Sequence, residues 1–178
     1  MLFRSSSSLT FDSHFLIART TTAGVVQQIV TYPVSGYNRI SGVIPTIDGE
    51  FAFAAELIDA SSFTGQLVLF KSDLVGNISW IKSFSASGYS FNSRSVCQDA
   101  SGNYYMVGTA NNTATFINKV CVIKVDASGN LVDQKLISLG SSFSALDIIS
   151  TSGNSIMICG YADNGTSIET AALVKLDL

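Results

Sequence analysis

The sequence is poor in charged residues, in histidine and in long apolar runs. Charged side chains make up 13% of the 178 residues, which is about half the usual share. The 10 basic residues are outnumbered by 13 acidic ones, giving a net charge of −3. Nucleic-acid binding needs a basic face, so we expect no nucleic-acid partner.

No apolar run approaches the length of about 18 residues that a membrane helix requires, so no membrane insertion is expected. The first four residues, Met1-Leu2-Phe3-Arg4, lead directly into serines 5–8. They contain no apolar core of a signal peptide. We therefore expect a protein that is exported by another route, is released by lysis, or is part of a longer chain.

Sequence motifs for catalysis, cofactors and metals are also missing. There is no G-x-S-x-G elbow, Walker loop or dinucleotide fingerprint, and the single histidine, His14, has no nucleophile motif beside it. The turns at Asp99 and Asp126 lack the further oxygen ligands of a calcium loop. The sequence therefore predicts no catalytic residue, no cofactor and no metal site.

Three cysteines are present, an odd number that cannot pair fully within one chain. Cys97, Cys121 and Cys159 lie in apolar stretches without zinc-ligand spacing. We expect all three to be buried free thiols that pack as small hydrophobic side chains.

Hydrophobic residues, in contrast, make up 47% of the chain, and 27 serines supply much of its polarity. This apolar content excludes an intrinsically disordered chain. A surface whose polar groups are mainly hydroxyls and amides, with few charged side chains, is typical of secreted, cell-surface or virion proteins. The composition therefore favours an extracellular, cell-surface or virion-surface location.

The chain repeats with a period of about 52 residues. The basic residues Arg19, Lys71, Lys124 and Lys175 each follow an apolar stretch, at steps of 52, 53 and 51. Residues 1–19 also align without gaps on residues 106–124, a shift of two periods. The whole chain is therefore a single repeat-built domain, without a linker.

Each unit has the pattern of four short strands. In the third unit, residues 94–99, 103–109, 119–126 and 131–137 are rich in apolar, aromatic and β-branched residues. Turns containing Gly and Asn separate the first strand from the second and the third from the fourth. The sequence predicts an all-β fold of antiparallel four-stranded blades, a β-propeller or partial propeller, with blades near 1–34, 38–85, 93–138 and 144–178.

The repeat resembles the propeller-type repeats of bacterial secreted and cell-surface proteins. The resemblance is carried by two stretches: Lys71, Asp73, Gly76, Asn77, Trp80, Lys82 and Phe84, then Asp99, Gly102, Asn103, Tyr104, Tyr105, Val107 and Gly108. It implies a propeller-type fold and an extracellular setting, but no particular activity. One departure is that Gln28 and Asp133 stand where Trp80 stands in the second unit.

The first and last units are incomplete. The strand pattern gives 14 strands, with the first unit lacking its first strand and the last unit lacking its fourth. Since open sheet edges tend to pair, three arrangements remain: closure of the four units into a ring, an eight-bladed ring of two chains, or docking onto other subunits. The expected partners are therefore copies of the chain itself or other assembly subunits.

Four residues are candidates for ligand binding. Tyr37, Tyr89 and Phe143 occupy the loops that lead from one unit to the next, where aromatic rings can stack on a glycan or on a partner protein. The alternative for these rings is packing between blades. Asp147 stands where the other units have Gly42 and Ser95, on a first strand that faces either a central channel or a neighbouring polar group.

Three functions fit these observations. The leading one is a non-catalytic structural or adhesive module of a cell-surface, extracellular or virion assembly. The second is a lectin-like glycan-binding module that uses the aromatic loops. The third is a propeller enzyme, which would need converging carboxylates, whereas most aspartates here belong to turns.

Overall fold

The computed structural model describes residues 14–33, 36–152, 155–163, 165 and 169–177. These residues form thirteen strands joined by antiparallel pairing, and no helix is found among them. The prediction of an all-β fold is confirmed. The strands are β1 (His14–Thr20), β2 (Val26–Pro33), β3 (Tyr37–Pro45), β4 (Phe51–Ile58), β5 (Gly65–Ser72), β6 (Ile78–Phe84), β7 (Tyr89–Gln98), β8 (Tyr104–Asn112), β9 (Asn118–Val125), β10 (Leu131–Ile137), β11 (Ser142–Thr151), β12 (Ser155–Asp163) and β13 (Glu169–Asp177).

The strands form four sheets in chain order. Sheet I contains β1 and β2, sheet II β3 to β6, sheet III β7 to β10, and sheet IV β11 to β13. Within each sheet, every strand pairs with its neighbour in sequence, as expected for hairpin-connected units. The first unit was expected to lack its first strand, and its expected second strand falls before residue 14, outside the described residues.

The hairpin turns repeat one geometry. In the turns 21–25, 46–50, 73–77, 99–103 and 126–130, the first residue's N–H donates to the carbonyl of the fifth residue, and the fourth residue's N–H donates to the carbonyl of the first. That fourth residue is always a glycine at positive φ, between 80° and 90°. Glycine adopts this conformation without the steric cost of a Cβ, so the glycine spacing of the sequence fixes these turns.

Consecutive sheets pack face to face and enclose three hydrophobic clusters. We call the face that a sheet turns toward the next sheet in the chain its forward face, and the opposite one its backward face. The forward face of sheet II meets the backward face of sheet III, and the forward face of sheet III meets the backward face of sheet IV. Within the described ranges, extensive packing joins only consecutive sheets.

The prediction that all three thiols are buried is wrong for one of them. Cys97 and Cys121 are buried, whereas Cys159 is exposed. Cys159 lies on the forward face of sheet IV, where no further sheet of the described chain follows. The apolar pattern of β12 indicated a strand correctly, but burial of this face requires a neighbour.

Candidate functional site

One end of the stack carries the aromatic residues. Because each sheet is an antiparallel meander, the connections between sheets and the loops 59–64 and 112–117 lie at the same end. A contact between them supports this placement: the Thr113 N–H donates to the carbonyl of Gly88 at 3.0 Å. We call this part of the molecule the aromatic end.

Tyr37 and Tyr89 lie at this end, but they begin strands β3 and β7 instead of lying in loops. Both are half-buried. Tyr89 packs against the cluster between sheets II and III, and the Lys119 Nζ lies 6.0 Å from its ring centroid. The Tyr89 ring therefore has a packing role and is also partly accessible.

Phe143 is part of the core and not of a binding surface. It is fully buried in the cluster between sheets III and IV, and it pairs with Ala162 on β12. Its register equivalent in sheet III is the buried Phe91, which pairs with Ala110. Phe143 thus follows Phe91 and not Tyr89 in the repeat, and its ring is closed to a surface ligand.

Two exposed phenylalanines at the aromatic end escaped the sequence analysis. Phe63 and Phe116 lie 53 residues apart, and their side chains are 70% and 76% exposed. Both backbones have positive φ, 54° and 58°, which costs a non-glycine residue roughly 1–2 kcal/mol. The 53-residue spacing of the two phenylalanines matches the repeat period and was a signal in the sequence.

The two loops enforce this conformation in the same way. The N–H of Phe63 donates to the carbonyl of Asp59, and the N–H of Phe116 donates to that of Asn112. The Asp59 and Asn112 side chains each accept two further backbone N–H groups of their loop. Hydrogen bonds from Ser61 and Ser62 of the same loop hold the pKa of the Asp59 carboxyl well below its usual range.

Asp147 lies on the exposed forward face of sheet IV, next to Cys159 on the neighbouring strand. It follows a β-bulge that recurs at the equivalent position of sheets II and III. Its carboxylate accepts the N–H of Ile148 at 2.8 Å. The side chain has space because no sheet of the described chain packs there.

The surrounding forward face of sheet IV is apolar and uncovered. Leu173 is 65% exposed, and Ala171 and Cys159 are exposed beside it. At the position of Leu173, sheet II has Leu69 at 0% and sheet III has Val122 at 5% exposure. The side chain at this repeat position is therefore buried in sheets II and III and exposed in sheet IV.

The charged groups that are buried serve contacts inside the stack. Lys71 is buried on β5; its Nζ lies 2.8 Å from the Glu50 carboxylate and also contacts Asp48. Hydrogen bonds from Lys71 and Thr46 lower the pKa of Asp48 to about 2. Burial opposes the charge of Lys71, but its bonds to the two carboxylates raise its pKa above the ordinary value.

Glu56 is a buried carboxylate of β4 that links sheets II and III. It pairs with Arg39 at 3.1 Å and accepts the backbone N–H of Ser93 at 3.0 Å. One unit later, Thr109 accepts the N–H of Ala145 at 3.3 Å in the same role. Because a hydroxyl replaces the carboxylate there, the position is structural.

Cavities open between sheets where Trp80 has no counterpart. The Trp80 ring packs against Tyr104, with ring centroids 5.6 Å apart, and lies at Gly129 of the next sheet. In sheet I Gln28 takes its place and lines a cavity of about 500 Å³; in sheet III Asp133 takes its place and lines one of about 300 Å³.

The turn aspartates are engaged by their own turns. Asp73, Asp99 and Asp126 each accept two backbone N–H groups and the side-chain amide of the asparagine four residues later. These are hairpin turns of the kind that the sequence predicted. In the ranges described above, no three His, Cys, Asp or Glu residues cluster as metal ligands would, and no helix is long and apolar enough to cross a membrane.

Comparison with known proteins gives a fold relative but no function. No protein-family model matches the chain, and no curated protein is similar to it in sequence. Seven solved chains match it in structure. One is a protein of unknown function from Bacteroides caccae, with 12% identity and a TM-score of 0.51 over 94% of this chain; the chain spans 58% of that protein's length.

Proposed function

We propose that this protein is a non-catalytic structural module that assembles through its open end sheets. In this proposal the four sheets are blades of a β-propeller or partial propeller, and the module belongs to an extracellular, cell-surface or virion assembly. Its partners are copies of itself or other subunits. The observation that carries the proposal is the uncovered apolar forward face of sheet IV, whose equivalents in sheets II and III are buried.

Three other features support this proposal. The buried Lys71 is paired with the Glu50 carboxylate of its own sheet, and the buried Glu56 accepts a backbone N–H from the next sheet. The aspartates of the hairpin turns are occupied by hydrogen bonds of their own turns. The motifs by which the repeat resembles that of bacterial secreted and cell-surface proteins are structural ones.

Light scattering of the purified chain across a dilution series tests assembly. We expect a dimer or larger species at high concentration that dissociates on dilution. A mass of 18.9 kDa at every concentration would contradict self-assembly and direct attention to the aromatic end.

A second candidate function is glycan binding at the aromatic end. The observation that favours it is the pair of exposed rings, Phe63 and Phe116, which have positive φ and lie at the same end of the sheets as Tyr37 and Tyr89. Strained and exposed aromatic residues are typical of binding positions. Under this hypothesis Phe63→Gly with Phe116→Gly abolishes binding on a glycan array while the fold persists; unchanged binding would exclude these rings.

A further inference from the structure

The forward face of sheet IV and the backward face of sheet I are the two ends of the stack. We propose that the forward face of sheet IV binds the backward face of sheet I in a second copy of this chain, in a head-to-tail contact. This inference rests on the proposed function and specifies its partner and polarity.

The contacts between sheets II, III and IV show which kind of surface packs against a forward face. Leu69 of sheet II and Val122 of sheet III are buried against the backward face of the next sheet. Leu173 occupies the same position in sheet IV and is exposed. Cys159 likewise takes the position of Ala54 and Val107, both fully buried. A forward face of this repeat is thus matched to a backward face of the same repeat.

Among the described residues, the backward face of sheet I is the one that no preceding sheet covers. Those of sheets II, III and IV are each covered by the preceding sheet. The backward face of sheet I carries Leu16 and Ala18, at the positions that Cys121 and Ile123 occupy in sheet III. A sheet I from a second copy therefore presents an apolar surface of the required kind.

Asp147 explains why the partner is sheet I and not a complete four-stranded sheet. At the position of Asp147, sheet II has Gly42, where an added Cβ would lie 3.3 Å from the Cα of Ser95 on the first strand of the next sheet. An aspartate there would be forced against a following first strand. In the described part of the chain, sheet I consists of β1 and β2, the equivalents of β5 and β6, without an equivalent of the first strand β3. A second copy's sheet I consequently leaves the Asp147 carboxylate in solvent.

The contact joins two different faces, so it is heterologous. Such contacts either close into a ring or propagate as an open chain. With two copies, closure gives eight sheets around one axis. Each copy then uses one forward end and one backward end.

Cys159 reports on the contact. Burial, with help from the nearby carboxylates of Asp99 and Asp147, raises the pKa of Cys97 to about 12. Burial also raises the pKa of Cys121 to about 12, so neither thiol competes for a maleimide, which needs the thiolate. We expect Cys159 to be labelled at least tenfold more slowly at the concentration where light scattering shows the oligomer than at the dilute end.

Two end variants test the polarity. Leu173→Asp on the forward face and Ala18→Asp on the backward face should each give monomers at all concentrations. Leu131→Asp, which replaces a similarly exposed leucine on β10, should assemble as the wild type does. Mixing the Leu173→Asp and Ala18→Asp proteins leaves one intact contact and should give a dimer that grows no further.

The outcomes separate the two proposals. An oligomer in which Cys159 stays reactive, or one that Leu173→Asp leaves intact, overturns this inference but not assembly itself. A mixture of the two end variants that stays monomeric, although circular dichroism shows both folded, overturns the head-to-tail contact. A wild-type chain that is monomeric at every concentration overturns both the inference and self-assembly.

Discussion

Residues at the same position of the repeat make different contacts in this protein. Lys71, Lys124 and Lys175 occupy one repeat position, yet their partners differ. Lys71 binds the carboxylates of Asp48 and Glu50, Lys124 lies 5.2 Å from the ring centroid of Tyr105, and Lys175 pairs with Asp177 at the surface. The side chain is the same, but the neighbouring turn or sheet decides its partner.

The Lys71 cluster makes a prediction about acid stability. The folded-state pKa of Asp48 is lowered to about 2, so its contribution is present above its ordinary pKa near 3.8 and is lost as pH falls through 2. We expect Lys71→Met to reduce the loss of unfolding free energy between pH 4 and pH 2. Because Asp48 is half exposed, the difference should be about 0.5–1 kcal/mol, measured by urea denaturation at both pH values.

Lys175→Met is the matched control, since both partners of its ion pair are exposed. It should leave the acid slope unchanged. An equal slope for wild type and Lys71→Met would show that the cluster does not set the pKa of Asp48 in solution.

At the scale of strands and sheets, the repeat conserves irregularities as well as strands. The first strands of sheets II, III and IV carry a bulge at Ser41, Arg94 and Leu146, at steps of 53 and 52. A bulge shifts which side chains face each side, and here it places residues 96 and 148 in the cores. The packing between sheets, in contrast, varies with single residues such as Trp80.

The cavity between sheets I and II predicts a stabilising substitution. Gln28 stands where Trp80 fills the contact between sheets II and III, and apolar residues line most of the 500 Å³ cavity beside it. We expect Gln28→Trp to raise the free energy of unfolding by about 1 kcal/mol through cavity filling. Urea denaturation of the wild type and the variant measures this change in the free energy of unfolding.

Gln27→Trp provides the control, because Gln27 is the exposed bulge residue next to it. It should change stability by less than about 0.5 kcal/mol. If both variants behave alike, indole packing in the cavity is not the cause.

At the scale of the whole molecule, the four described sheets pack one on the next, and the forward face of sheet IV has no neighbouring sheet among the described residues. Replacing leucines at equivalent repeat positions should therefore lower the free energy of unfolding of the monomeric chain by different amounts. Leu69→Ala should lower the free energy of unfolding by about 2–5 kcal/mol because it leaves a cavity in the core, whereas Leu173→Ala should cost less than about 0.5 kcal/mol. Chemical denaturation at low protein concentration compares the two; similar costs would mean that sheet IV is already covered in the single chain.

The sequence by itself determined the repeat, the strands and the hairpin turns. These depend on local chemistry: alternating apolar residues build a strand, and a glycine four residues into each turn supplies positive φ. Third-unit strands were predicted at 103–109 and 131–137 and lie at Tyr104–Asn112 and Leu131–Ile137. The sequence predicted the location of the aromatic candidates only in part. Tyr37 and Tyr89 lie at the aromatic end, but Phe143 is buried in the core.

Only the tertiary structure decided which faces are covered. Cys159 and Val107 have the same local pattern, but Val107 is buried against sheet IV whereas no described sheet packs on Cys159. The strained conformation of Phe63 and Phe116 also depends on hydrogen bonds across a whole loop, which residue types alone do not encode. A repeat determines the shape of each sheet, whereas the contacts between sheets determine what is left exposed to bind.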